Sequence, residues 1–187
     1  MTKFKIATLR LKILLGNKLF RWNILFKCGK NITIAKNVDI RLRKNCELTI
    51  GDFSYIGEGS LLDCEKGGKI EIGRNTLLFK HVFVVARDSI KIGDNCLIAE
   101  FSSIRDSDHS FANLTIPIAQ QGFNSAGIFI SEDVWIGKGA VVLKGVRVGK
   151  HTIIGANSVV TKDIPSMSIA VGVPAKVTKN LSKNSQT

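Results

Sequence analysis

Between Ile130 and Thr161 the chain repeats a unit of six residues, and this period narrows the possible folds more than any other feature. The units read Ile130-Ser-Glu-Asp-Val-Trp, Ile136-Gly-Lys-Gly-Ala-Val, Val142-Leu-Lys-Gly-Val-Arg, Val148-Gly-Lys-His-Thr-Ile and Ile154-Gly-Ala-Asn-Ser-Val, then Val160-Thr. A branched aliphatic opens each unit, and a small or β-branched residue stands four positions later. An α-helix returns its apolar stripe about every 3.6 residues and cannot sustain a period of six. Six is even, so in extended chain the same side points inward once per unit. Each hexad then makes one flat side of a coil, with the aliphatic residue inside and the small residue fitted at the corner. Such a period is that of a stacked parallel β-helix.

The frame runs upstream with three interruptions. Its openers are Ile50, Ile56 and Leu62; Ile72, Leu78 and Val84; and Ile92, Ile98 and Ile104. Three hexads make an 18-residue triangular turn, the spacing from Ile130 to Val148. The longer spacings Ile50 to Ile72 and Ile72 to Ile92 place short insertions at corners near Lys66-Gly-Gly and Asp88-Ser. The spacing from Ile92 to Ile130 places a long insertion over 107–127, and inserts in repeat folds emerge as loops that often carry function. Ile32, Ile34, Val38 and Ile40 read as a degenerate first turn. The expected fold is all-β, with the β-helix over 31–175, a tail over 176–187, and a segment over 1–30 read as helical.

That N-terminal segment is chemically distinct. Of the chain's net charge of +12, residues 1–38 carry nine Lys/Arg and no Asp/Glu. Phe4, Leu11, Leu14, Phe20 and Trp22 make it amphipathic as well. Basic apolar helices can lie on anionic membranes, and the open end of a solenoid needs a cap; the two readings are compatible. The charge is local and no base-reading motif accompanies it, so nucleic acid is not an expected partner. Residues 9–15 are interrupted by Arg10 and Lys12 and do not read as a signal peptide, so a cytoplasmic location is expected, with peripheral contact at the membrane's inner face. Four cysteines without a CxxC pair read as buried reduced thiols rather than zinc ligands; Cys46 and Cys64, 18 apart, are expected on neighbouring turns.

Asp133-Val-Trp-Ile-Gly-Lys-Gly-Ala-Val-Val-Leu-Lys-Gly-Val-Arg-Val-Gly, Ile154-Gly-Ala-Asn-Ser-Val-Val-Thr-Lys-Asp-Ile-Pro and Val171-Gly-Val-Pro-Ala-Lys together resemble the hexapeptide-repeat acyltransferases. The resemblance covers about residues 45–180 and is nearest to sugar O-acetyltransferases of the galactoside, maltose and surface-polysaccharide kinds. It implies a left-handed coil, unusual for parallel crossovers, a homotrimer with active sites between subunits, acetyl-CoA as donor, a carbohydrate acceptor and no metal.

Transfer from a thioester to a hydroxyl requires a base, because an alcohol is a poor nucleophile until its proton is removed. His81 and His151 take the fourth position of their hexads, within regular turns. His109, in Ile104-Arg-Asp-Ser-Asp-His-Ser-Phe, lies where the repeat breaks into the insertion, and its position resembles the family's catalytic histidine. Asp106 or Asp108 could orient the imidazole, or both could be ordinary turn residues. By the same resemblance Trp135 borders the cofactor arm or acceptor, once the loop folds back to bring it near His109; an outward aromatic in the trimer contact is the competing reading. The backbone N–H of Lys138 matches the oxyanion donor, Ala156 meets the pantetheine, and Thr161, Lys162, Lys176 and Lys179 match positions that hold the nucleotide and phosphates. Two family arginines are lysines here, supplying charge without a bidentate fork.

Other functions fit less well. A carbonic-anhydrase-like enzyme of this fold needs three histidine ligands, and nothing near His109 in sequence is another histidine. A silent scaffold has no need of His109 and the Thr161-Lys162 pair. Serine acetylation belongs with a longer helical N-terminal domain. The remaining alternative within the enzyme class is N-acetylation of a nucleotide-linked amino sugar.

Overall fold

A computed structural model of the protein describes residues 10–13 and 24–184. Three parallel sheets stack as the sides of a triangular prism, one of six strands, one of eight and one of seven. In coil order we term them faces one, two and three. Face one carries the strands Glu47–Ile50, Lys69–Ile72, Ser89–Ile92, Ile128–Ile130 and Arg147–Val148. Face two includes Tyr55–Ile56, Leu77–Leu78, Leu97–Ile98, Trp135–Ile136 and Ile153–Ile154. Face three includes Leu61–Cys64, Phe83–Ala86, Ser103–Arg105, Val141–Val142 and Val159–Val160.

The hexad frame is the frame of the core. Every opener from Ile50 to Val160 is buried, and the register aligns them coil upon coil: Ile50 with Ile72, Leu78 with Ile98, Val84 with Ile104. Small polar residues at the fifth position repay burial by hydrogen bonds to the next coil. The Ser54 hydroxyl donates to the Gly73 carbonyl at 2.7 Å, and that of Thr76 to Gly93 at 2.8 Å. A buried hydroxyl without such a partner is costly. The fourth positions turn the corners in the left-handed region, at φ between 51° and 61° for Asn75, Asn95 and Asn157, and also for His81, Phe101 and His151. Asparagine tolerates that conformation better than most residues, which explains its recurrence there. Cys46 donates from Sγ to the Cys64 carbonyl at 2.9 Å, so the two do occupy neighbouring coils, and burial pushes the Cys96 thiol up to about 11.

At the N-terminal end the coil reaches further than the hexads indicated. Leu25–Cys28 pairs in parallel with Glu47–Ile50, and Arg10–Ile13 with Asp39–Leu42. Residues 10–13 and 25–28 of this segment are strand, which corrects the helical expectation there; residues 1–9 and 14–23 lie outside the described residues. The physical reason is that the last coil leaves a row of backbone N–H and C=O groups unpaired, and a further strand satisfies them. At the other end Ala175–Asn180 folds back antiparallel on Ser168–Gly172, so residues 176–180 of the expected tail belong to face two. No helix among the described residues is long and apolar enough to cross a membrane.

The outer sides of the faces differ in chemistry. Face one is a ladder of charge, in which Lys69 lies 2.7 Å from Glu71 and 3.4 Å from Glu47. Face two aligns Tyr55, Leu77, Leu97, Trp135, Ile153 and Ile169 in one register row, an apolar stripe along the prism.

Candidate active site

The insertion leaves the coil at the corner between faces three and one as a small antiparallel hairpin. Ser107–His109 pairs with Phe123–Ser125, setting Ser107 opposite Ser125 and His109 opposite Phe123. The chain re-enters the prism at Ile128. The base of the hairpin is stitched to the coil: Ala126 N–H donates to the Asp106 carbonyl at 2.9 Å, and Gly145 N–H to the Ala126 carbonyl at 2.8 Å. Its far end is braced internally by Gln121, whose side chain bonds to Asn113 and Ile116. Phe111, Leu114 and Ile118 remain exposed there.

His109 is exposed on this hairpin, with its ring packed against Phe123 at 4.2 Å between centroids. Neither acidic candidate touches the imidazole. Asp106 is fully buried and turned to the corner, where its two carboxylate oxygens accept from the Arg87 and Asp88 backbone N–H groups, each at 2.8 Å. Burial raises its pKa, against those amide bonds, which lower it. Asp108 pairs instead with Lys144 Nζ at 3.2 Å. In this structure, then, neither carboxylate is bonded to the imidazole that one or the other could have oriented. Asp106 faces inward because two free amides of the short insertion near Asp88 need an acceptor. Asp108 faces the lysine that its own corner presents.

Trp135 stands half exposed on face two, beside Leu97, Ile153 and His151 in a shallow apolar groove. The hairpin springs from the opposite corner, so within one chain the loop does not fold back to Trp135. His81 stacks on Phe101 at 5.1 Å and His151 pairs through Nδ1 with Asp133, each at a regular corner. Lys138 and Ala156 occupy equivalent positions of successive coils, at the corner between faces two and three, and Asn157 N–H donates to the Lys138 carbonyl at 2.8 Å. The Ser158 hydroxyl at that corner accepts from Gly172 N–H at the tip of the C-terminal hairpin, next to Lys176. Thr161 and Lys162 stand across face three, and Lys179 on the outer strand opposite Ile169. Lys162, Lys176 and Lys179 are exposed and form no ion pair among the described residues, whereas Lys69, Lys91 and Lys150 all face carboxylates. Unpaired cations suit a polyanionic ligand; paired ones are already neutralised. Reading the sequence missed Arg87 and Phe123, since only the pairing of the hairpin strands reveals that they meet beside His109.

A family profile described as "Bacterial transferase hexapeptide (six repeats)" matches residues 127–162. The chain is 30% identical over 145 residues to the putative lipopolysaccharide biosynthesis O-acetyl transferase WbbJ of Escherichia coli, covering 74% of each. It is 34% identical to a probable acetyltransferase of Mycobacterium tuberculosis, over 80% of this chain but spanning only half the length of that relative. Among solved structures, the hexapeptide-repeat acetyltransferase VCA0836 of Vibrio cholerae, complexed with acetyl coenzyme A, superposes with a TM-score of 0.63 at 30% identity, over 73% of this chain and 71% of that one. The fold and these relatives therefore define a hexapeptide-repeat transferase with a left-handed parallel β-helix. The chain belongs to the hexapeptide-repeat acetyltransferase family.

Proposed function

We propose that the protein is an acetyl-CoA-dependent O-acetyltransferase acting on a sugar hydroxyl in the synthesis of a bacterial surface polysaccharide. The observation that carries this reading is His109, exposed on a braced hairpin where the regular coil opens, in a chain related along most of its length to the putative lipopolysaccharide biosynthesis O-acetyl transferase WbbJ. In this reading His109 removes the proton from the acceptor hydroxyl as its oxygen attacks the thioester carbonyl, and returns a proton to the departing thiolate. The Lys138 backbone N–H faces the charge that develops on the carbonyl oxygen. Ala156 and Thr161 border the donor's arm, and Lys162, Lys176 and Lys179 hold its phosphates.

Thiol release from acetyl-CoA over a panel of methyl glycosides and nucleotide-linked amino sugars tests the reaction. Turnover with glycosides supports O-acetylation, and turnover confined to the amines would assign the N-acetyl reaction instead. Lys162→Ala combined with Lys179→Ala should raise the KM for acetyl-CoA by at least about thirtyfold, since each lost charge-assisted contact is worth roughly 1 kcal/mol or more. An unchanged donor KM in the double variant would remove both lysines from the site.

The same reading takes the protein as a homotrimer, in which a second copy covers the apolar row on face two and completes the site with Trp135. The contrast with charged face one supports this, because contiguous apolar stripes mark contact surfaces. Wild type should sediment at three times the 20.4 kDa chain mass, and Leu97→Lys at the mass of one chain. A variant that remains trimeric places the contact elsewhere. The basic segment over 1–30 gives such a trimer a surface for anionic lipid, which 1 M salt should screen.

A further inference from the structure

We propose that Phe123, gripped from behind by Arg87, is the positioning residue that orients His109, in the place where a carboxylate would be expected. The proposal rests on the reading of His109 as the base and extends it to how that base is held.

The geometry begins at the short insertion in the corner after Ala86. Asp106 fixes the backbone of Arg87 and Asp88 through its two amide bonds, which aims the Arg87 side chain along the corner toward the hairpin. The Arg87 guanidinium carbon lies 3.6 Å from the centroid of the Phe123 ring, well within cation–π range. The imidazole of His109 lies 4.2 Å from that same centroid, with the planes inclined by 36°. A guanidinium at 3.6 Å fills one face of the ring, so the imidazole must occupy the other. Phe123 is thus clasped between the two.

Two further observations separate this stack from ordinary surface packing. Among the described residues Arg87 Nε is buried with no hydrogen-bond partner, and the carboxylate of Glu65 lies 3.8 Å from the guanidinium. A buried donor left unmatched is costly. The side chain is therefore held by the aromatic ring more than by hydrogen bonds. The pairing of the hairpin also puts His109 directly opposite Phe123, so the two side chains stand on the same side of the ribbon at cross-strand distance. Among the described residues the imidazole forms no side-chain hydrogen bond, which leaves the Phe123 ring as the group that limits its rotation. A flat apolar ring fixes the imidazole plane while leaving both ring nitrogens open, one to the acceptor and one to solvent or a neighbouring copy. Asp106 then acts on the base at two removes, through Arg87 and Phe123.

The test combines a geometric and a kinetic readout on the full-length protein. With histidine labelled in the ring and the three imidazole signals assigned by single His→Asn variants, the His109 signal should carry the upfield shift of a proton over a phenyl face. Phe123→Leu should abolish that shift and Phe123→Tyr should retain it. In thiol release from acetyl-CoA with methyl glycosides, Phe123→Leu should lower kcat roughly tenfold or more, as small misplacements of a reacting group do. The donor KM should stay unchanged, and Phe123→Tyr should restore kcat. Arg87→Gln should fall between them. If His109→Ala abolishes turnover while Phe123→Leu retains both the shift and the rate, the clamp is wrong and the base stands. If His109→Ala leaves turnover intact, the base reading fails and the clamp with it. If Phe123→Leu loses donor affinity along with kcat and tyrosine does not rescue, the residue merely holds the hairpin together, and the positioning role is overturned.

Discussion

His109→Ala should lower kcat by about 10² to 10⁴, the usual worth of a positioned general base, with the donor KM and the melting temperature unchanged. The imidazole is exposed on a hairpin that is stitched to the coil through the backbones of Asp106, Ala126 and Gly145 and through the Asp108–Lys144 pair. None of those bonds passes through the His109 side chain, so its truncation removes chemistry without removing structure. His81→Asn and His151→Asn are the appropriate controls: both positions have φ near 55°, where asparagine is at ease and alanine is strained. Both should turn over at close to the wild-type rate. Near-full activity in His109→Ala would require a base on another side chain, and the candidates His81 and His151 would then be read from the same set of assays.

The hexads made the prism legible because its physics is local and repetitive. A branched residue every sixth position has one inward place to go, and each of the openers from Ile50 to Val160 is buried there. The insertion was equally legible as a break in the period, and His109 as the histidine beside it. What the period could not convey lies where the repeat stops. Leu25–Cys28 and Arg10–Ile13 join the sheets because the end of a solenoid recruits any strand that can pair with it, not because they carry hexads. The partners of Asp106 and Asp108 depend on which way a corner points two side chains only two residues apart. Adjacent residues on a strand face opposite ways, but after a corner that alternation restarts. Trp135 shows the same limit at a larger scale, since its face is fixed by the frame whereas its distance from His109 depends on where the hairpin leaves the prism.

Asp106→Ala should be the most damaging substitution for stability near the site. It strands the Arg87 and Asp88 amides at a buried corner, at about 1–3 kcal/mol for each unsatisfied donor. Allowing for a water that follows into the space, the net loss should be roughly 2–4 kcal/mol, a fall in melting temperature of about 5–15 °C for a chain of this size. Turnover should drop as well, because Arg87 leaves Phe123 when its own backbone is released. The more discriminating variant is Asp106→Asn, which keeps one acceptor and cannot ionise. Burial holds the Asp106 carboxyl above the usual carboxylate range, so the folded protein binds that proton more tightly than the unfolded chain does. The wild type therefore loses this part of its stability as the pH rises from the ordinary carboxylate range through the raised value. The asparagine variant has no such proton to lose. Its deficit relative to wild type should be largest at the acid end of that window and should narrow as the pH rises, measured by denaturant unfolding at a series of pH values. A deficit that widens with pH would mean that the two amide bonds outweigh burial, and that the corner is held chiefly by the charged carboxylate.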